Sequence, residues 1–240
     1  MESSLYVAAA GQRNIQKQLT VVANNIANMN SAGFRAENVD FKSLISRTSQ
    51  EDVHFPTVAK LYPAMEQGAL QKTDNPLDVA ISGEGWFAIS TEAGTAYTRD
   101  GRFQINAFGE LQTLQGHPVL DAGEAPIQLN ANAGMPEILQ DGRILSNGRL
   151  VGNLGIFQVE PENLASRLTN AAFISSVPGV AIAAGNGVSL NQGFVENSNV
   201  NPMKELGNLI TITKAFDSVS SLVDRVDQTL SRSLNELGGA

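Results

Sequence analysis

At 240 residues, 42% hydrophobic and 17% charged, the chain can bury a sizeable core as one large domain or two small ones, which excludes global disorder. A net charge of −8, a pI near 4.8 and no basic run exclude nucleic acid as a partner, since binding a phosphate backbone needs clustered Lys and Arg. The absence of cysteine removes disulfides, thiolate metal sites and thiol nucleophiles together.

The N-terminus, Met-Glu-Ser-Ser-Leu-Tyr, lacks a basic segment followed by an apolar run, so no cleavable secretory signal is expected. No stretch approaches the roughly 20 apolar residues that span a bilayer, so the chain is read as not membrane-spanning.

The first predicted element is a helix from about Ser3 to Met29, roughly 40 Å long. Leu5, Ala8, Gln12, Ile15, Leu19, Val22, Ile26 and Met29 fall at alternating spacings of three and four, a heptad seam with one polar interruption at Gln12. Gly33 is a natural stop. Between Ser3 and Phe34 the only charges are Arg13 and Lys17, so the outer face is made of small and amide side chains. A solvated helix normally carries many charges there, and this face suits lateral packing against copies or relatives.

Residues 35–75, with Pro56 and Pro63 and no sustained period, read as an extended connector with a short strand or two. A β region follows over 76–182. Leu77-Asp-Val-Ala-Ile81 alternates, and Trp86-Phe-Ala-Ile89 reads as a core strand. Turn signals recur at Asp100-Gly101, Asn106-Ala-Phe-Gly109, Asp121-Ala-Gly123, Asp141-Gly142 and Asn147-Gly148. The last is the firmest hairpin, since both of its turn positions tolerate positive φ. Tight turns without helical crossovers predict antiparallel strands.

A Gly/Asn-rich return over 183–200 leads to a final helix over 201–240, capped by Asn201 with Pro202 at its first position and Glu205 in its first turn. Its stripe repeats the seam at Ile212, Phe216, Val219, Val223, Val226, Leu230, Ser233 and Leu237. Two complementary narrow stripes at opposite ends of a chain satisfy each other only if the chain folds back on itself. Leu19, Val22 and Ile26 are expected to pack against Phe216, Val223 and Leu230, each large buried side chain contributing about 1.5–3 kcal/mol. The predicted fold is mixed α and β: an antiparallel β-rich central domain with long N- and C-terminal α-helices pairing as a coiled-coil stalk. The N-terminal stalk helix is bounded at 1–34.

Chemistry is hard to find. His54 and His117 stand alone, with no partner at helical spacing for zinc. Gly83-Glu-Gly85 lacks the third glycine of a nucleotide loop and runs into Trp86-Phe87 rather than a helix. Asp100, Asp121 and Asp141 are explained by turn chemistry, and no Asp-x-Asp-x-Asp-Gly calcium loop occurs. No catalytic residue, cofactor or metal site is expected.

Several segments resemble one family. Val22-Ala-Asn-Asn-Ile-Ala-Asn-Met-Asn-Ser-Ala-Gly-Phe-Arg35 resembles the N-terminal signature of bacterial flagellar basal-body rod and hook proteins, and Glu196-Asn-Ser-Asn-Val-Asn-Pro-Met-Lys-Glu-Leu206 the approach to their C-terminal helix. Leu77-Asp-Val-Ala-Ile-Ser-Gly-Glu-Gly-Trp-Phe87, Ala96-Tyr-Thr-Arg-Asp-Gly-Arg-Phe103 and Asn106-Ala-Phe-Gly-Glu-Leu111 look like their shared β motifs. Compact length and Gly85-Trp86 resemble the proximal-rod branch, the F type. The resemblance implies a non-enzymatic drive-shaft subunit in the periplasmic rod of the basal body. Its partners would be other rod subunits of the axial family and the flagellar type III export apparatus, through which it would pass unfolded without signal cleavage. Family members pair their terminal helices into an inner tube and project a β domain outward.

On this reading Leu5, Ile15, Leu19, Val22, Ile26 and Met29, with Ile212, Phe216, Val219, Val223, Val226, Leu230 and Leu237, form the assembly interface. Asn24, Asn25, Asn28, Gly33, Phe34, Asn199 and Pro202 are the family motif and joint, the three amides either bonding to neighbours or finishing the helix end. Competing readings are a distal-rod or other axial subunit, a secreted coiled-coil protein with a ligand-binding β domain, and an envelope glycan hydrolase, which would need a cleft carboxylate.

Overall fold

A computed structural model describes residues 2–47, 52–130, 134–169, 171–185 and 187–238. The chain divides into two compact units. One comprises Met1–Ala27, Glu37–Leu61 and Asn201–Ala240; the other comprises Asn28–Ala36 and Tyr62–Val200.

The first unit holds the two helices, α1 (Glu2–Ala27) and α2 (Pro202–Gly238). α1 ends at Ala27, slightly before the expected Met29, and a turn follows in which Ser31 N–H donates to the Asn28 carbonyl at 3.1 Å. At the start of α2, Lys204 N–H donates to Asn201 Oδ1 at 3.2 Å and Pro202 occupies the first position, where its missing N–H is harmless. The helices lie against each other in opposite directions. Gln12 Nε2 donates to Ser220 Oγ at 3.5 Å, while Val22 and Asn25 share a groove with Glu205, Asn208 and Ile212. That alignment brings Val22 and Ile212, one residue from each stripe, to the same groove; stripe periodicity fixes a helical face but not its axial offset. The connector contains two paired strands, Glu37–Arg47 and Asp52–Pro63. Pro56 and the lack of a clean alternation hide the second one from pattern.

In the second unit, Phe87–Thr91, Gly94–Thr98, Ala172–Ser175 and Leu164–Arg167 are hydrogen-bonded in that order into one antiparallel sheet. Trp86-Phe-Ala-Ile89 is apolar throughout because it is buried on both faces. Phe87 and Ile89 point into a core with Val79, Ile81, Phe103, Leu111 and Ile144. Trp86 and Ala88 point into another with Tyr97, Leu120, Phe157 and Phe173. A period of two thus separates two apolar layers. Asn147 and Gly148 turn the hairpin Arg143–Ser146/Arg149–Asn153 with φ of 50° and 72°, as expected for that dipeptide.

The Gly/Asn-rich return is itself paired. Ser189–Gln192 lies antiparallel to Val79–Ser82, and Phe194–Glu196 to Leu70–Lys72. Leu70–Lys72, Ser189–Gln192 and Phe194–Glu196 are three or four residues long and their partners distant in sequence, so no local alternation announces them.

Tyr97 is 1% exposed, and its hydroxyl accepts the Gly179 N–H at 2.6 Å. Tyr97→Phe should therefore cost about 1 kcal/mol, the usual worth of such a bond. Urea unfolding followed by the fluorescence of Trp86, the chain's one tryptophan, reads it, and an unchanged midpoint would mean the bond adds nothing.

Candidate assembly site

Within the helical unit the stripes are unevenly covered. Val22 is 7% exposed, and Met29, which falls past the end of α1 in the β unit, is 37% exposed. Ile15, Leu19, Ile26, Ile212, Phe216, Val219 and Val223 are half-buried. Leu5, Val226, Leu230 and Leu237 sit on the helices, but their side chains lie outside the described ones. A helix pair this narrow leaves apolar surface in water along both flanks.

The asparagines of the N-terminal motif have separate tasks. Asn25, 2% exposed, brackets the Glu37 backbone: its Nδ2 donates to the Glu37 carbonyl at 3.1 Å and its Oδ1 accepts the Glu37 N–H at 2.9 Å. One side chain thus does the work of a backbone ladder pair and holds α1 to the first strand. Asn24 Nδ2 reaches the Glu37 carboxylate at 3.5 Å. Both amides are engaged within the chain. Pro202 is exposed at the start of α2.

In the β unit, Asn28 Oδ1 accepts the Ser31 hydroxyl at 3.1 Å, which closes the turn after α1. Gly33 has φ of 66° and its N–H donates to the Glu196 carbonyl at 2.7 Å. Phe34 is fully buried, with the Arg167 guanidinium 4.4 Å from its ring centre and equally near that of Phe173. Asn199 ties three segments: its Oδ1 accepts the Ala36 N–H at 2.7 Å, its Nδ2 donates to the Glu66 carbonyl at 2.8 Å, and its own N–H donates to the Phe34 carbonyl at 3.3 Å. Gly33, Phe34 and Asn199 are thereby brought together.

Sequence reading passed over the strongest electrostatic feature beside them. Arg35, Arg99 and Glu196 are each 3% exposed or less. Glu196 Oε1 is 2.7 Å from Arg35 Nη2, and Oε2 is 3.1 Å from Arg99 Nη1. Both guanidinia lie over the Trp86 ring, at 5.9 and 5.6 Å from its centre. Arg35 also donates to the Met65 and Glu66 carbonyls, and Arg99 to that of Gly83 at 2.7 Å. Burial pushes both guanidinia below the usual arginine range, that of Arg99 to about 10, with Glu196 opposing the shift. One carboxylate thus joins the segment after α1, the central sheet and the returning strand. The one signal in the sequence is that Arg35 and Glu196 each stand at the inner edge of a terminal motif.

Three family descriptions match in chain order. The flagella basal body rod protein description matches residues 5–35, the flagellar hook protein FlgE/F/G D1 domain 80–146, and the flagellar basal body rod FlgEFG protein C-terminal description 191–237. Fold and motifs together define a structural protein of the flagellar axial class.

The chain is 41% identical to the flagellar basal-body rod protein FlgF of Mesorhizobium japonicum, with 99% of each chain covered, and 39% identical to FlgF of Rhizobium meliloti over the full length of both. It is 30% identical to FlgG of Bacillus subtilis, covering 98% of this chain and 99% of that one. The chain belongs to the flagellar basal-body rod protein family, F type, and is a structural subunit of the rod in the flagellar basal body. Among the described residues, no helix is long and apolar enough to cross a membrane.

Proposed function

We propose that α1 and α2 pair as a coiled-coil stalk, and that copies of this stalk build the inner tube of the rod, line the export channel and carry torque. The observation behind this reading is the pair of half-covered apolar stripes on helices of 26 and 37 residues. Residues such as Ile15, Phe216 and Val223 gain the rest of their burial only from neighbouring stalks, so order and assembly are coupled. The stripes from Leu5 to Met29 and from Ile212 to Leu237 are the interface. Asn24, Asn25, Asn28, Gly33, Phe34, Asn199 and Pro202 set where each helix stops or starts. The role is non-catalytic. The subunit reaches the periplasmic rod through the flagellar type III export apparatus, without a cleaved signal, and joins other axial subunits there.

Limited proteolysis of the purified monomer, with cleavage sites read by mass spectrometry, tests this. Early loss of both termini around Arg35 and Asn199, leaving a resistant β core, is the expected result. Termini as resistant as the core would show a self-contained helix pair and refute assembly-coupled ordering.

A further inference from the structure

From Leu168 to Val195 the chain carries no charged residue, although 17% of the whole chain is charged. Inside this run Val180–Ile182 pairs with Ile156–Gln158 and, among the described residues, with no other strand, so it is an edge. Phe157 exchanges backbone bonds with Trp86 on its other side, at 2.8 and 2.9 Å. Ala181, opposite Phe157, therefore directs its N–H and carbonyl outward, and among the described residues no backbone group meets them. Val177 and Val180 are 51% and 69% exposed, with Ala181 and Ala183 exposed beside them. Free edges are ordinarily guarded by charge or covered by another element, and an apolar edge with neither is a template for a further strand.

A cleft of about 600 Å³ opens beside this edge, with Ile182, Ala183 and Glu84 among its walls. Glu84 is exposed and, among the described residues, makes no ion pair. Its field reaches Arg99, whose guanidinium Glu196 already holds. The edge is thus apolar along its length, with one unmatched carboxylate toward its Ile182 end.

The β unit carries a second edge of opposite charge. Arg149–Asn153 lies outermost in the sheet it forms with Arg143–Ser146 and Glu137–Ile138. Leu150 and Val151 are 63% and 37% exposed. Arg149 is exposed and makes no ion pair among the described residues. Ser146 and Arg149 close a two-residue hairpin as a bonded pair, so Leu150 directs its backbone groups outward. Val151 is a bulge, unmatched between Leu150 and Gly152, and it ends the regular edge.

We propose that Val180–Ile182 is a strand-addition site for Arg149–Val151 of a second copy of this chain, running antiparallel to it. Ala181 and Leu150 then exchange their outward backbone groups, small against large, and Val180 meets Val151. Arg149 comes opposite Ile182, beside Glu84, which is what selects the antiparallel direction. Three residues a side fall far short of the roughly 1,000 Å² that a stable interface buries. The pairing therefore forms between copies already held by their helices, so it rests on the stalk reading above and adds a contact within the β units.

The chain has no native cysteine, so crosslinking reads the contact directly. A bonded antiparallel pair sets its Cα atoms about 5.5 Å apart, within disulfide range. In a strain whose only copy of the gene carries Leu150→Cys and Ala181→Cys, oxidation of purified basal bodies should give covalent multimers of this chain. Either single variant should give none, and neither should the purified double variant in dilute solution. Basal bodies that contain the double variant without multimers overturn the proposal, as do multimers formed equally in solution.

Charge reversal without cysteines decides the matter if the cysteine chain is not incorporated. Arg149→Glu and Glu84→Arg should each lower the amount of chain in basal bodies about threefold, as like charges at an interface rim do. The two changes together should return it close to wild type, because the pair is restored in reversed polarity. A double variant no better than the worse single overturns the proposal, including the case where a related axial subunit, lacking the compensating change, supplies the strand. Protease-resistant termini in the monomer would instead bring down the stalk reading, so the two failures are distinguishable.

Discussion

Glu196→Gln should destabilise the β unit by about 3–5 kcal/mol, although it changes neither shape nor volume. Glu196 is 1% exposed and faces two arginines that are equally buried. Removing its charge leaves two guanidinia under one indole with no carboxylate in contact, in a site where solvent cannot screen them. The carbonyls of Met65, Glu66 and Gly83 and the Trp86 face offset part of that cost but carry no full charge. Arg99→Met should cost less, because it leaves Arg35 and Glu196 as a balanced pair. Urea unfolding followed by Trp86 fluorescence measures both. If Glu196→Gln stays within about 1 kcal/mol of wild type, hydrogen-bond geometry rather than charge holds the three segments together.

Gly33→Val should be about as damaging, and it should also abolish swimming. Gly33 has φ of 66°, a conformation that costs an L-residue roughly 1–2 kcal/mol and a β-branched one more. A Cβ there would lie 2.2 Å from the Asp100 nitrogen and 2.5 Å from the Arg99 carbonyl carbon. Both are backbone atoms, which cannot swing aside as a side chain can. Strain and overpacking together amount to about 3–5 kcal/mol. They fall where Gly33 N–H donates to the Glu196 carbonyl, so the ionic cluster shifts as well. Gly94→Ala is the matched control: φ is 107°, but a Cβ there meets nothing within 4 Å. Normal swimming by Gly33→Val would falsify a requirement for the left-handed turn after α1.

Local chemistry was enough to place much of this protein from its residues alone. Heptad spacing marked both helices. Asn201-Pro202 marked the start of α2, and Asn147-Gly148 marked its hairpin through φ of 50° and 72°. The unbroken apolar run at Trp86 to Ile89 marked a strand buried on both faces. Each of these signals arises between residues a few positions apart, so each is written in the local order of side chains. What joins distant segments could not be read that way. Glu196 looks like a charge in a polar loop until Arg35 and Arg99 are seen against it in a dry site. Asn199 looks like a helix-approach residue until Ala36 and Glu66 bond to its amide. The strands at 70–72, 189–192 and 194–196 exist only because their partners arrive from the other end of the chain. Periodicity determines which face of an element is buried. Only tertiary structure, by taking charges and amides out of water, decides which partner each of them must have.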